Sequence, residues 1–404
     1  MVLGLPTALL AVVSTLLFSP LAVHAADLES VLAGQANLTT FRGLVKNHTD
    51  IFASLPKGVT VAAPNDNAFK KLGNWETYNE STIAATLKYH ILKQTIDMPS
   101  IAKGDSIWAS TTLTDEAFSS VTDGQRLILT KQPGGEVVFT SGFATRGTVL
   151  VEDLAFDNGL VQVIDSVMRV PETLESTARS AYTDLTAFVG ALYATDLMSE
   201  IAKLKDVTIF APRNAAFQQL AGTLAAMDTE KLKRVLRYHI VPGQLSHVWE
   251  FKNASSLASA DGDDSKLTIT RHTNFIYINS AEIIQADILI ANGLVHMIDN
   301  ILDPEQADAR PDVSLTTAQA PVFTPVGETA TGTDVPTPFA TALPCTASCP
   351  VVQATGTAAP KGAGGGDGQG ASSSNAGGAL PRCTGLAGAG LGIGLAVGAV
   401  MVGL

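Results

Sequence analysis

The chain has 404 residues, 46% of them apolar and 16% charged, with a formal net charge of −12. That length allows two or three domains with real cores. An acidic chain without a Lys/Arg cluster lacks the basic footprint that nucleic acid or anionic lipid requires, so neither is an expected partner.

In chain order, Leu3 to Phe18 is a short apolar run, and Val23-His24-Ala25 supplies the small residues that flank a signal-peptidase cut. Residues 1–25 are therefore predicted as a secretory signal; the run is too short for a membrane anchor. Passage through the secretory route gives meaning to the Asn-X-Ser/Thr tripeptides at Asn37, Asn47, Asn79 and Asn253, the expected N-glycosylation sites. Residues 26–344 contain no cysteine, so the folded part must rely on hydrophobic cores.

A β-run from Thr60 to Ala63 stops at Pro64, which cannot continue a ladder. A helix capped by Asn65, Asp66 or Asn67 follows, with Ala68 and Phe69 turned inward. Ile83, Leu87, His90 and Ile91 then make one apolar helical stripe that carries a histidine. Short strands at Leu127-Ile128-Leu129 and Val137-Val138-Phe139 flank Pro133-Gly134-Gly135, and Asn158-Gly159 predicts a type I′ hairpin. After a connector at residues 170–175 containing Pro171, a helix is expected over 181–198.

The same motifs then return. Thr208 to Leu220, with Asn214 as the expected cap, repeats Thr60 to Leu72 at an offset of 148 residues. Leu236-Arg237-Tyr238-His239-Ile240 repeats Leu87-Lys88-Tyr89-His90-Ile91 at 149, and Asn292 to Asp299 repeats Asn158 to Asp165 at 134. Conserved order at a long, nearly constant offset means domain duplication, with a shortening in the middle strands of the second copy. Helices lead and a β-meander follows in each copy, so the fold class is α+β.

These residues resemble the fasciclin domain, which shows a Phe-Ala-Pro-Thr-Asn-X-Ala-Phe type motif, a Tyr-His pair, and Asn-Gly-Val-Val-His-Val-Ile-Asp near its end. The second copy fits at Phe210 to Phe217, Tyr238-His239 and Asn292 to Asp299. The first departs at Ala62, Asp66 and Gln162, where the family has Phe, Asn and His. The resemblance implies two tandem domains, at 26–171 and 172–304, each a β-sandwich wedge flanked by helices. It also implies work in cell adhesion or in association with a matrix or cell wall. In animal relatives the Tyr-His pair is implicated in integrin-type adhesion. That makes Tyr89, His90, Tyr238 and His239 candidate contact residues; the other reading is that they are core residues with satisfied hydrogen bonds.

From residue 305 to 385 the composition turns to Ala, Pro, Thr, Gly and Ser, which predicts a disordered stalk. Small residues around Asn375, a polar spacer and the uncharged tail at residues 386–404 read as a glycosylphosphatidylinositol (GPI) signal, with attachment at Asn375 and Ser374 or Gly377 as neighbours. The competing reading of the tail is a single transmembrane helix. Cutting at Asn375 removes Cys383 and leaves Cys345 and Cys349, a pair spaced to close a small loop.

No metal-binding, nucleotide-binding or nucleophile motif stands inside either copy, so neither cofactor nor enzymatic activity is expected. Asp261-Gly262-Asp263-Asp264 reads as a polar turn. Two function classes remain. The first is a lipid-tethered surface protein that contacts wall, matrix or cell-surface components, protein or glycan, or a second copy of itself. The alternative is an organelle-lumen protein, for example vacuolar, held by a C-terminal helix and acting in membrane tethering or fusion.

Overall fold

The computed structural model describes residues 26–262, 264–315, 318–326 and 336–344. The signal segment, Cys345, Cys349, Asn375 and the apolar tail lie outside the described residues.

The first domain opens with three short helices, α1 (Leu28–Ala33), α2 (Thr39–Asn47) and α3 (Thr49–Phe52). Strand β1 (Val59–Pro64) leads into α4 (Asp66–Leu72), and α5 (Glu80–Tyr89) into β2 (Ile91–Leu92). A meander follows: β3 (Ser106–Ser110), β4 (Arg126–Lys131), β5 (Val137–Thr140), β6 (Arg146–Phe156) and β7 (Gly159–Ile164). The sheet order is β2-β1-β7-β6-β5-β4-β3, parallel only between β1 and β7. Its ends nearly meet, because Leu92 bridges Thr111 and the Lys93 amide donates to the Ser110 carbonyl at 2.8 Å.

The wedge arises from β6. Its register slips twice, between Val149 and Val151 and between Val151 and Leu154, and Asp153 takes φ 56° inside the slip. Such bulges bend and twist a strand, so one sheet serves two faces. Phe41, Phe69, Leu87 and Val161 pack between helices and sheet. Tyr89, Leu127, Phe139 and Met168 fill the inside of the curl.

The second domain repeats this plan. Helices α6 (Leu174–Ser180), α7 (Thr186–Ala194) and α8 (Met198–Ile201) precede β8 (Val207–Pro212). Then come α9 (Asn214–Gln219), α10 (Ala221–Ala226), α11 (Thr229–Tyr238) and β9 (Ile240–Val241). Strands β10 (Ser256–Ala258), β11 (Lys266–His272), β12 (Phe275–Ile278), β13 (Ala281–Ile290) and β14 (Gly293–Ile298) complete it. The order β10-β11-β12-β13-β14-β8-β9 matches the first sheet, and Asp287 at φ 57° sits in the β13 bulge.

Four expectations need correction. The helix expected over 181–198 is broken: α7 ends at Ala194, where Asp196 turns left-handed and the Leu197 amide reaches back to the Leu192 carbonyl at 2.9 Å. The Asn-Gly pairs are not type I′ turns, since none of Asn158, Gly159, Asn292 and Gly293 has positive φ. The glycines are first strand residues beside the neighbouring parallel strand, where a Cβ would lie 1.8 Å from the Val59 carbonyl oxygen and 1.9 Å from that of Val207. Asn214 does not cap its own helix; its Oδ1 accepts the Ala187 amide at 2.8 Å and caps α7. Asp66 does the same in the first domain, accepting the Thr40 amide at 2.8 Å, while Asn65 caps α4 through the Ala68 amide. Finally, within the segment read as stalk from residue 305, residues 318–326 and 336–344 lie against the second domain, with Phe323 and Leu343 buried in its core.

The domains meet along the connector. The buried Gln125 amide donates to the carbonyls of Ile290 and Ala291 at 3.2 and 3.3 Å, and Trp108 stacks on His247 with centroids 4.6 Å apart. Asp206 accepts the Thr122 amide at 2.8 Å, and Lys205 pairs with Glu116.

Candidate functional site

Each Tyr-His pair ends the helix that feeds the second strand of its domain; the histidine follows the apolar stripe of α5 or α11, and the tyrosine turns into the core inside the curled sheet. All four side chains are buried. His90 Nδ1 lies 2.7 Å from the Thr86 carbonyl, and its Nε2 accepts the Met168 amide at 2.9 Å. His239 repeats this with the Val235 carbonyl at 2.8 Å and the Leu302 amide at 3.0 Å. The accepting Nε2 fixes the neutral tautomer with its proton on Nδ1. Burial holds both imidazoles down to about 4, so they stay uncharged at neutral pH. Tyr89 donates to the Arg126 carbonyl at 2.8 Å, and Tyr238 donates to the Lys266 carbonyl at 2.8 Å while accepting from Asn279. In each domain the pair pins helix, curled sheet and the exit of the last strand together, with no atom free to meet a partner from outside.

A second polar site, unnoticed in the sequence, lies in the bulges. Asp287 Oδ1 accepts the Val248 amide at 3.3 Å. The Asp287 amide donates to Nδ1 of His296 at 3.2 Å, and the other ring nitrogen faces the Ser246 carbonyl at 2.8 Å. Burial pushes the Asp287 carboxyl up to about 7 and the His296 imidazole down to about 4. In the first domain Gln162 replaces the histidine: Oε1 accepts the Asp153 amide at 2.9 Å, and Nε2 donates to Asp153 Oδ1 at 2.7 Å and to the Ile96 carbonyl at 3.1 Å. The available signal was a fourth repeat, Asp153-Leu154-Ala155-Phe156 against Asp287-Ile288-Leu289-Ile290, an acid at a fixed place ahead of an apolar run.

The sequon residues Asn37, Asn47, Asn79 and Asn253 are all exposed. Asn79 caps α5 through Oδ1, which accepts the Thr82 amide at 2.8 Å, and Asn253 Oδ1 accepts the Arg271 amide at 2.9 Å. Both bonds use the oxygen and leave the nitrogen that carries a glycan outward. Asn79 stands at the rim of a groove of about 520 Å³ between α5, the connector and the β13–β14 turn, lined by Tyr78, Phe118, Arg169 and Ala291. Asp261, in the acidic turn, is paired with Arg234 at 3.1 Å.

A few large apolar side chains are exposed on the sheets. Tyr277 is opposite Glu282 across β12–β13, so alternation places Phe275 and Ile284 on that same outer face. Both are exposed, at 48% and 39%, and Trp249 in the turn Val248–Glu250 is exposed at 55%. Leu150 takes the place of Ile284 in the first domain and is 52% exposed. Among the described residues no helix is long and apolar enough to cross a membrane.

Residues 36–171 and 183–304 each match the family model described as Fasciclin domain. A "Fasciclin-like arabinogalactan protein" of Arthroderma benhamiae is 29% identical over 63% of this chain and 61% of its own length. The "Fasciclin-like arabinogalactan protein CTB11" of Cercospora beticola is 29% identical over 70% of this chain and 77% of its own. Among solved structures, a FAS1 domain pair from the insect cell adhesion molecule Fasciclin I aligns with 66% of this chain and 97% of its own, at 17% identity and a TM-score of 0.32.

Proposed function

We propose that this chain, which belongs to the fasciclin domain family, is an extracellular surface protein that adheres to matrix, wall or cell-surface components. The observation that carries the reading is the pairing of two complete family domains with exposed apolar residues on their outer sheet faces, Leu150 on one and Phe275 and Ile284 on the other. Exposed side chains of this kind supply contact area to a protein or glycan partner, or to a second copy. The buried Tyr-His pairs serve the fold in this reading, not the contact. Residues 1–25 direct secretion, the domains at 26–171 and 172–304 keep separate cores, and Asn37, Asn47, Asn79 and Asn253 carry N-glycans. Cleavage at Asn375 leaves a GPI lipid that holds the protein at the outer face of the membrane, with Cys345 and Cys349 free to pair.

The test is made on intact cells. Phosphatidylinositol-specific phospholipase should release the full-length protein, and beads coated with the released protein should adhere to wall or matrix material or to each other. Protein that stays within an internal compartment, resistant to the phospholipase, would overturn the tethering half of the proposal. Beads that bind nothing would overturn the adhesive half.

A further inference from the structure

The motif phenylalanines Phe69 and Phe217 are equivalent, and each meets one ring edge-on. In the first domain that ring is Trp75, only six residues along, with centroids 5.3 Å apart and planes at 65°. In the second it is Phe339, from far down the segment read as stalk, at 6.2 Å and 83°. The first domain closes its own helical face; the second takes its closure from beyond its last strand.

The described residues on either side make further contacts. The Gln319 carbonyl accepts from Asn300 at 3.0 Å, and the Val322 carbonyl from Gln306 at 3.2 Å. Thr223 Oγ1 donates to the Thr324 carbonyl and accepts the Val326 amide, both at 3.0 Å. Arg179 reaches the Pro344 carbonyl at 2.6 Å. Two helical glycines fit these residues closely: a Cβ on Gly190 of α7 would lie 2.2 Å from the Phe339 carbonyl oxygen, and one on Gly222 of α10 would lie 2.1 Å from that of Val326. Glycine inside a helix costs stability relative to alanine, so glycine at these close approaches is compensated by what lies against it.

We propose that residues 318–326 and 336–344 form a strap that completes the second domain, and that the apolar face of α7, α9 and α10 is its docking surface. A pull on the C-terminal end is then delivered at Arg179 of α6, and the strap is the first element to peel, uncovering Phe217 and its neighbours.

Hydrogen exchange on the full secreted chain tests this, with the first domain as internal reference. The amides of Val326, Ala340 and Ala342, each of which donates a hydrogen bond, should be protected well beyond a free peptide. Gly190→Ala and Gly222→Ala should each abolish that protection and lower the melting temperature of the second domain by several degrees, with the first domain unchanged. Helix propensity alone gives the opposite sign, since alanine strengthens a helix. Phe339→Ala, which leaves the helices intact, should lower the same transition. Free-peptide exchange in the unsubstituted chain, or higher melting temperatures in the two alanine variants, would overturn the strap.

Discussion

His296 lies opposite Phe210 across the parallel pair β8–β14, and the two rings stack with centroids 5.3 Å apart and planes at 22°. At the same place in the first domain Ala62 lies opposite Gln162. The two positions differ together, and the difference reaches the bulge aspartate. Gln162 donates to the Asp153 carboxylate, whereas neutral His296 has one N–H and directs it to the Ser246 carbonyl. His296→Gln should therefore bring the Asp287 carboxyl down from about 7 towards the ordinary carboxylate range, read by carbon-detected NMR titration. A carboxyl that stays near neutrality would mean that desolvation alone governs it.

The domains should respond differently to acid. His90 is held at about 4 when folded and returns to 6.5 when unfolded, so its contribution is present above 6.5 and is lost as pH falls towards 4. For a fully buried group that gap is worth about 3 kcal/mol. In the second domain His239 and His296 act in the same direction. Asp287 and Asp299, raised to about 7 and about 6 by burial, act in the opposite one, since their contribution is present at low pH and lost as pH rises through those values. Between pH 4 and 6 the contributions of these two histidines and two aspartates oppose one another. Melts followed by hydrogen exchange should show the first domain weakening from pH 6.5 to 4 while the second holds level; parallel loss in both would contradict the assignment.

Tyr238→Phe should cost about 1–3 kcal/mol, because it removes the donor to the Lys266 carbonyl and the acceptor for Asn279. Tyr89→Phe loses a single bond, to the Arg126 carbonyl, and should fall at the low end, about 1 kcal/mol. Chemical denaturation of the two variants checks the order.

Gly159→Ala and Gly293→Ala should each destabilise on the order of 3 kcal/mol, since the added carbon would overlap the carbonyl of Val59 or Val207 and force the parallel strands apart. If the glycines served turn geometry alone, Asn158→Gly would be well tolerated. Here the Asn158 side chain holds the Leu55 carbonyl at 2.7 Å, so that change should also cost stability.

The repeat, the α+β class, the helical stripes and the strand runs were legible because each is a local pattern with a physical period. The burial of His90 followed from the same stripe, where it falls in step with Leu87 and Ile91; that of Tyr89, which faces the curled sheet, did not. Features made by distant contacts were not legible. Asn214 has the look of a local cap, yet the helix it caps begins 28 residues earlier at Thr186. Gly159 looks like half of a turn, and only the register of β1 reveals why it must lack a side chain. Phe323, Phe339 and Leu343 are spread through Pro/Thr-rich sequence without periodicity, so composition hides their seats on α7 and α9.

Adhesion through the outer sheet face, with the Tyr-His pairs confined to the fold, is checked by measuring bead adhesion and thermal melts together for two variants. Phe275→Asp/Ile284→Asp should abolish adhesion with the melt unchanged, and Tyr238→Phe should lower the melt while adhesion below that temperature stays intact. Full adhesion by the aspartate variant, together with adhesion lost in Tyr238→Phe while it is still folded, would contradict the account.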